Sequence, residues 1–330
     1  MPESQNQNFN HLKIHSQYSI CEGAIKIDDL KDFSKDNKIR SLGLCDTSNL
    51  CGALEFAEKI SKAGTQPIIG TQINFKIGEI IGLLPLYALN ESGYKRIIEL
   101  SSLSYLKNKE LSEPYLDFEE LLTKSHGVSL FSGTISGLFG QLFDKGKLDD
   151  ITELYSNLKS KYEDRFYIEI QRHGDQNEKE FENFNLSKST ELEIPIIATN
   201  EVFYINKNIH EAHDALICIK NKTYINEKNR LKFSDQHYLK YNSEMVDLFN
   251  DLPEALENNY NFPFRCSFRP LLSKPILPNI SSDKGGNADE ILIKESSEGL
   301  KEKFKKFFNI PNDKVLSDKI YIRYKDRLDH

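Results

Sequence analysis

Residues 40–70 read RSLGLCDTSNLCGALEFAEKISKAGTQPIIG. An apolar run ending at Asp46 gives way to an amphipathic stretch and then to a second apolar run, so the segment predicts strand, helix, strand. Strands joined through a helix lie parallel, because the crossover returns the chain to the same end of the sheet. The same order extends both ways. Upstream, HLKIHS (11–16) precedes the helical IDDLKDFSKDN (27–37), and downstream QPIIGTQINF and GLLPLYAL precede ESGYKRIIELSSLSYL. GVSLFSG then leads into DDITELYSNLKSKY, RFYIEIQ into NEKEFENFNLSKSTEL, and IPIIATN into NIHEAHDALICIKN. This repetition predicts an α/β protein built on a parallel sheet with crossover helices, open or closed into a barrel.

Polar residues favour the barrel. His15, Asp46, Gln72, His173 and Glu201 each fall at or just past the C-terminal end of a predicted strand, where barrel sites collect. An open doubly wound sheet would gather its ligands at the same ends. Beyond about residue 270 the pattern changes: RPLLSKPILPNISSDKGGNADE reads as a linker, followed by the helical DEILIKESSEGLKEKFKKFF and the basic KIYIRYKDRLDH. The expected division is therefore 1–270 and 271–330, the second piece being too short for a core of its own.

With 38% apolar and 28% charged residues, and a mean hydropathy of -0.52, the 330-residue chain reads as a well-solvated globular protein. No apolar run suits a membrane span, and MPESQNQNFN lacks the basic-then-apolar order of a secretory signal, so the cytoplasm is expected. The net charge of -7 argues against a surface that binds nucleic acid throughout. Five cysteines (Cys21, Cys45, Cys51, Cys218, Cys266), none in a C-x-x-C pair, fit free thiols in a reducing compartment.

Phosphate-loop, dinucleotide, nucleophile-elbow and zinc-protease motifs do not occur. Ser132 and Ser136 flank a glycine with no partner base in view, and the basic run KEKFKKFF reads as the solvated face of a helix. A metal site could draw on His15, Asp46, His173 and Glu201, with His11 and Gln72 as additions, and such ions would make a phosphoesterase. The plainer reading is a set of polar side chains bonded to one another and to water. His126, His210, His213, His237 and His330 fall in predicted loops or helices and are expected in surface or capping roles. On a strand, His11, Lys13 and His15 would share one face, which sets an ammonium among metal-type ligands.

HLKIHSQYSICEGAIKI, LGLCDTSNLCGALEFAEKISKAGTQPIIG, LNESGYKRIIELSS, FYIEIQRHG, IPIIATNEVFYI, EAHDALICI, FSDQHYLKYNSEM and LPEALENN together resemble the start of the bacterial DNA polymerase III alpha subunit family. The resemblance implies a polymerase-and-histidinol-phosphatase (PHP) domain over residues 1–270, a distorted (β/α)7 barrel. A short, mainly helical segment over 271–330, ending YKDRLDH, resembles the entry to the polymerase palm. The palm's catalytic aspartates lie further along in the family, so DNA polymerisation with magnesium is expected of the full-length enzyme and not of this segment. The expected partners are a proofreading exonuclease subunit, other replicase subunits and primer-template DNA met through later domains, with no membrane.

Active PHP domains carry a metal cluster at the barrel mouth, and the resemblance marks which ligand positions this chain has lost. Lys13 stands at the first position of a His-x-His pair with His15 at the second. Asp46 and Thr47 replace Asp-His, and Gln72 and Leu83 stand where an acid and a histidine occur. Thr134 replaces a cysteine, His173 is retained, and Glu201 and Phe203 replace Asp-x-His. Leu83 and Phe203 offer no lone pair, the threonines are weak donors, and Lys13 would repel a cation beside His15. The expectation is a domain with no metal and no cofactor, in which Lys13 pairs with Asp46 or Glu201 to neutralise buried acid. A metal-dependent PHP phosphoesterase or 3'-5' exonuclease is the alternative.

Overall fold

The computed structural model describes residues 9–107, 113–275, 287–308 and 319–330. Nine strands are formed among them: β1 (Lys13–Ile14), β2 (Ser41–Thr47), β3 (Gln66–Ile77), β4 (Ile80–Ala88), β5 (Leu116–Asp117), β6 (Val128–Phe131), β7 (Phe166–Ile170), β8 (Ile196–Ala198) and β9 (Glu201–Val202). The first helices are α1 (Ile27–Asp36), α2 (Ala53–Lys62), α3 (Glu91–Lys107), α4 (Phe118–Thr123), α5 (Leu138–Asp144) and α6 (Leu148–Tyr162). They are followed by α7 (Glu178–Leu192), α8 (His210–Asn221), α9 (Asn242–Leu248) and α10 (Pro253–Asn261).

The strand order is β8-β7-β6-β4-β3-β2-β1-β9, with β5 attached to β3. β8 and β9 stand at opposite ends of this ladder, yet only Thr199 and Asn200 separate them in the chain. The sheet must therefore curl until its edges face each other, which makes it a distorted barrel. Asn259 of α10 ties the seam: its Oδ1 accepts the Asn10 backbone N–H at 2.7 Å, and its Nδ2 donates to the Asn10 and Ala198 carbonyls, each at 2.9 Å.

Pairing is not parallel throughout, which corrects the simplest reading of the alternation. β3 and β4 form a long antiparallel hairpin and β4 pairs antiparallel with β6, whereas β1–β2, β2–β3, β6–β7 and β7–β8 are parallel. Gly78 and Glu79 alone join β3 to β4, and Gly78 adopts φ +57, so the chain reverses where a crossover has no room. As a result Gln72 lies in the middle of β3 and not at its end.

Side chains from successive strands fill the barrel interior: Cys45, Ile68, Tyr87, Phe131, Tyr167 and Ile197, with Phe262 after α10 packed among them. Outside, α1 and α2 bury Ile27, Leu30, Phe56 and Ile60 against β1 and β2. A larger apolar layer joins α3, α5, α6 and α7 to β4, β6 and β7.

The chain divides into two compact units, Met1–Leu272 and Ser273–His330. Part of the expected linker, 276–286, lies outside the described residues. The second unit contains α11 (Ala288–Phe308) and α12 (Lys319–Asp329), which meet through Phe304 and Tyr321. No helix among the described residues is long and apolar enough to cross a membrane.

Candidate functional site

Parallel pairing sets Lys13 of β1 directly against Glu201 of β9. The Lys13 ammonium, 1% exposed, lies 3.3 Å from Glu201 Oε1 and 3.9 Å from Glu169 Oε1. His15 Nε2 reaches the same Glu201 oxygen at 3.2 Å. His11, the third residue of the expected face, turns elsewhere: its Nε2 donates to the Lys240 carbonyl at 2.8 Å.

Burial pulls the Lys13 pKa down, but the Glu169 and Glu201 carboxylates outweigh it and the net shift is upward. For Glu201, burial pushes the pKa up. The opposing pull of Lys13 and His15 is larger and leaves it well below the usual carboxylate range.

Asp46 does not pair with Lys13, which removes one of the two pairings expected for that lysine. Its Oδ1 accepts the Ser16 backbone N–H and the Ser19 hydroxyl, each at 2.7 Å, and its Oδ2 accepts the Ser16 hydroxyl at 2.9 Å. The turn after β1 thus supplies neutral donors to a buried acid, and burial wins over them, so the Asp46 pKa is raised. Thr47 Oγ1 accepts from Gln72 Nε2 at 3.0 Å, and Thr134 Oγ1 is bonded to Ser136 Oγ at 2.9 Å. Phe203 stacks on the His15 ring with centroids 4.6 Å apart. Thr47, Gln72, Leu83, Glu201 and Phe203 all line a mouth cleft of about 490 Å3.

His173 stands apart from this group. Its ring is stacked 4.0 Å from that of His237, and its Nδ1 lies 3.4 Å from Glu178 Oε1. Burial, then His237 and Lys240, hold its pKa well below that of free imidazole. Of the four expected residual ligands, the structure joins His15 to Glu201, links Asp46 to the His15 edge through Ser19, and joins His173 only to the Glu201 main chain, whose N–H donates to its Nε2 at 3.2 Å.

Four residues of the site region were missed in the sequence. Glu169 on β7 is fully enclosed; its Oε1 accepts from Gln171 Nε2 at 2.8 Å, and its Oε2 has no hydrogen-bond partner. A lone acid inside the apolar run FYIEI was the available signal. His237, expected at the surface, is 1% exposed, and His213 is buried as well, donating to the Glu22 carbonyl at 2.8 Å. Asp175 completes a group with His173 and His237 whose ligand atoms lie within 4.8 Å of one another.

A barrel with polar residues gathered at one mouth defines the class, and the PHP domain model matches residues 11–173. Over almost its whole length the chain also aligns with named relatives. It is 35% identical over 314 residues to the DNA polymerase III subunit alpha of Caulobacter vibrioides, covering 91% of this chain and 27% of that protein. The same subunit of Rickettsia felis is 33% identical, covering 97% and 27%, and that of Borreliella burgdorferi is 34% identical, covering 90% and 27%. The chain belongs to the DNA polymerase III alpha subunit family and carries its PHP domain, spanning about 27% of the length of these relatives.

PHP domains are in general metal-dependent, and the donors at this mouth do not fit a metal cluster. Glu201 Oε1 already faces Lys13 and His15, Asp46 is engaged by Ser16 and Ser19, and Phe203 and Leu83 are apolar. A dication beside Lys13 would meet a fixed positive charge in a low-dielectric interior.

Proposed function

We propose that this chain is the N-terminal PHP portion of a replicative DNA polymerase III alpha subunit and serves as a scaffold, not as a hydrolase. Residues 1–270 would form the PHP domain with its degenerate metal site, and residues 271–330 the linker and the beginning of the palm. Template-directed nucleotidyl transfer with magnesium is assigned to residues outside these 330. By family resemblance, the domain braces the palm and offers a surface to a proofreading exonuclease subunit and other replicase subunits in the cytoplasm. Primer-template DNA is met by later domains.

The observation that carries the scaffold reading is the Lys13 ammonium, held 3.3 Å from Glu201 where a metal ligand would otherwise stand. An ammonium supplies charge neutralisation without the open coordination position that hydrolysis needs. The test is hydrolysis of bis(p-nitrophenyl) phosphate and of a labelled oligonucleotide by the full chain with manganese or zinc. The expected rate equals that of metal alone. Hydrolysis that disappears in His15→Ala and Asp46→Asn would establish the phosphoesterase alternative instead.

A further inference from the structure

We propose that His173, Asp175 and His237 form a binding site for one divalent transition-metal ion of the zinc or cobalt type, separate from the barrel mouth. His237 Nδ1 lies 3.1 Å from the Glu201 carbonyl. A carbonyl only accepts, so Nδ1 carries the proton and Nε2 presents a lone pair. That Nε2 is buried, has no hydrogen-bond partner and faces Asp175 Oδ2 at 3.4 Å. An unprotonated nitrogen opposite a carboxylate is repulsive unless something positive lies between them.

A metal ion answers this by drawing on several lone pairs at once, the parallel ring of His173 lying 4.0 Å away. His173 Nε2 lies 3.1 Å from Asn200 Oδ1 and accepts the Glu201 backbone N–H at 3.2 Å. Ligation through Nδ1, beside the Glu178 carboxylate at 3.4 Å, requires the tautomer in which Nε2–H donates to Asn200 Oδ1, so the ion would exchange the Glu201 N–H contact for that one. Two imidazole nitrogens and a carboxylate oxygen suit zinc or cobalt, with the remaining positions left to water.

Water has a path. His173, Asp175 and Glu178 line an open cleft with Arg172 and Lys179. Asp175 is itself partly exposed, its side chain at 28%. The Phe203 ring stands between this site and the mouth, stacked on His15 on one side and 5.4 Å from the His237 ring on the other. The bound ion would clip the loop after β7 to the segment before α9 and, through His237, fix the main chain at Glu201. This site does not depend on whether the mouth itself is free of metal.

The experiment is a cobalt titration of the chelator-treated full chain, read by ligand-field absorption and by elemental analysis after dialysis. One equivalent is expected, with Asp175→Asn weakening binding by about 100-fold or more and His237→Phe abolishing it. His15→Ala and Asp46→Asn should bind as the wild type does. Thermal melts confirm that each variant is folded, and Asp175→Asn, at a partly exposed position, leaves the core untouched. The proposal is overturned if the wild type retains no cobalt, or if Asp175→Asn and His237→Phe bind it unchanged. It is equally overturned if binding disappears with His15→Ala and Asp46→Asn, which would assign the ion to the mouth and refute the scaffold reading instead.

Discussion

Replacing Lys13 with methionine keeps the length of the side chain and removes its charge, so the variant isolates the electrostatic part of the barrel mouth. At 3.3 Å from Glu201 and 3.9 Å from Glu169, the attractions in an effective dielectric of about 20 are roughly 5 and 4 kcal/mol. The desolvation of three buried charges cancels much of this, so the intact cluster contributes little net stability. Its disruption is another matter. Lys13→Met leaves two enclosed carboxylates without their cation, and the expected loss is about 3–5 kcal/mol at neutral pH. The double variant Lys13→Met/Glu201→Gln should recover at least about 2 kcal/mol of that loss, because the stranded charge at Glu201 is gone. Urea unfolding followed by far-UV circular dichroism measures both, tryptophan fluorescence being unusable in a chain with no tryptophan. A Lys13→Met variant within about 1 kcal/mol of wild type, or a double variant no more stable than the single, would refute the claim that the ammonium compensates the buried acids.

The pH dependence of the same cluster has a definite sign. The depressed Glu201 pKa gives stability that is present above its unfolded value of 4.5 and lost as pH falls through the folded value. The raised Lys13 pKa gives stability present below 10.5 and lost as pH rises through its folded value. The difference between wild type and Lys13→Met should therefore be flat across neutral pH and shrink at both extremes, as urea midpoints at a series of pH values would record. Lys240 works in the opposite sense: burial lowers its pKa to about 8, so the unfolded chain binds the extra proton between 8 and 10.5 and stability rises with pH there. Relative to Lys240→Met, the wild type should gain up to about 3 kcal/mol over that range, and a flat difference would contradict the shift. At the seam, Asn259→Ala strands the Asn10 N–H and the Asn10 and Ala198 carbonyls, and denaturant titration should show a loss of about 3 kcal/mol or more. A loss below about 1 kcal/mol would mean that the barrel edges are held by other contacts.

Helices α1, α2, α3, α6, α7 and α8 and the parallel strands other than β5 and β9 were legible because each is an unbroken periodic segment, whereas the short α4, α5, α9 and α10 were not read as helices. NEKEFENFNLSKSTEL predicts α7, and IPIIATN contains β8. The β3–β4 hairpin was hidden because its turn is only Gly78–Glu79, and two apolar strands in a row look the same whether they run parallel or antiparallel. The mouth was legible in parts. Lys13 stood out as a charge on an apolar strand and Glu201 as a polar residue at or just past a strand end, but Glu169 was read as one letter of a strand, and only the curl of the sheet brings it near Lys13. His237 lies in a segment with no periodicity, so nothing local announces its burial beneath Phe203 and Phe233. Asp46 misled for a related reason: the serines that satisfy it, Ser16 and Ser19, belong to the turn after β1 and are brought to β2 by parallel pairing.

Glu201 is the residue on which the two candidate centres converge. Its carboxylate faces Lys13 and His15, while its carbonyl accepts from His237 and its backbone nitrogen lies 3.2 Å from His173 Nε2. The side chain is thus fixed from the mouth and the main chain from the imidazole pair, so a disturbance on either side must move a residue that the other side also holds. β9 is only two residues long, and its register with β1 is what sets Lys13 opposite Glu201. A strand so short gains little from its own ladder, and its position depends on these flanking polar contacts. The mouth cluster is then best understood as part of the closure of the barrel: with β8 and β9 separated by two residues, the ammonium that bridges Glu201 on β9 to Glu169 on β7 reaches across the seam that the hydrogen-bonded ladder leaves open.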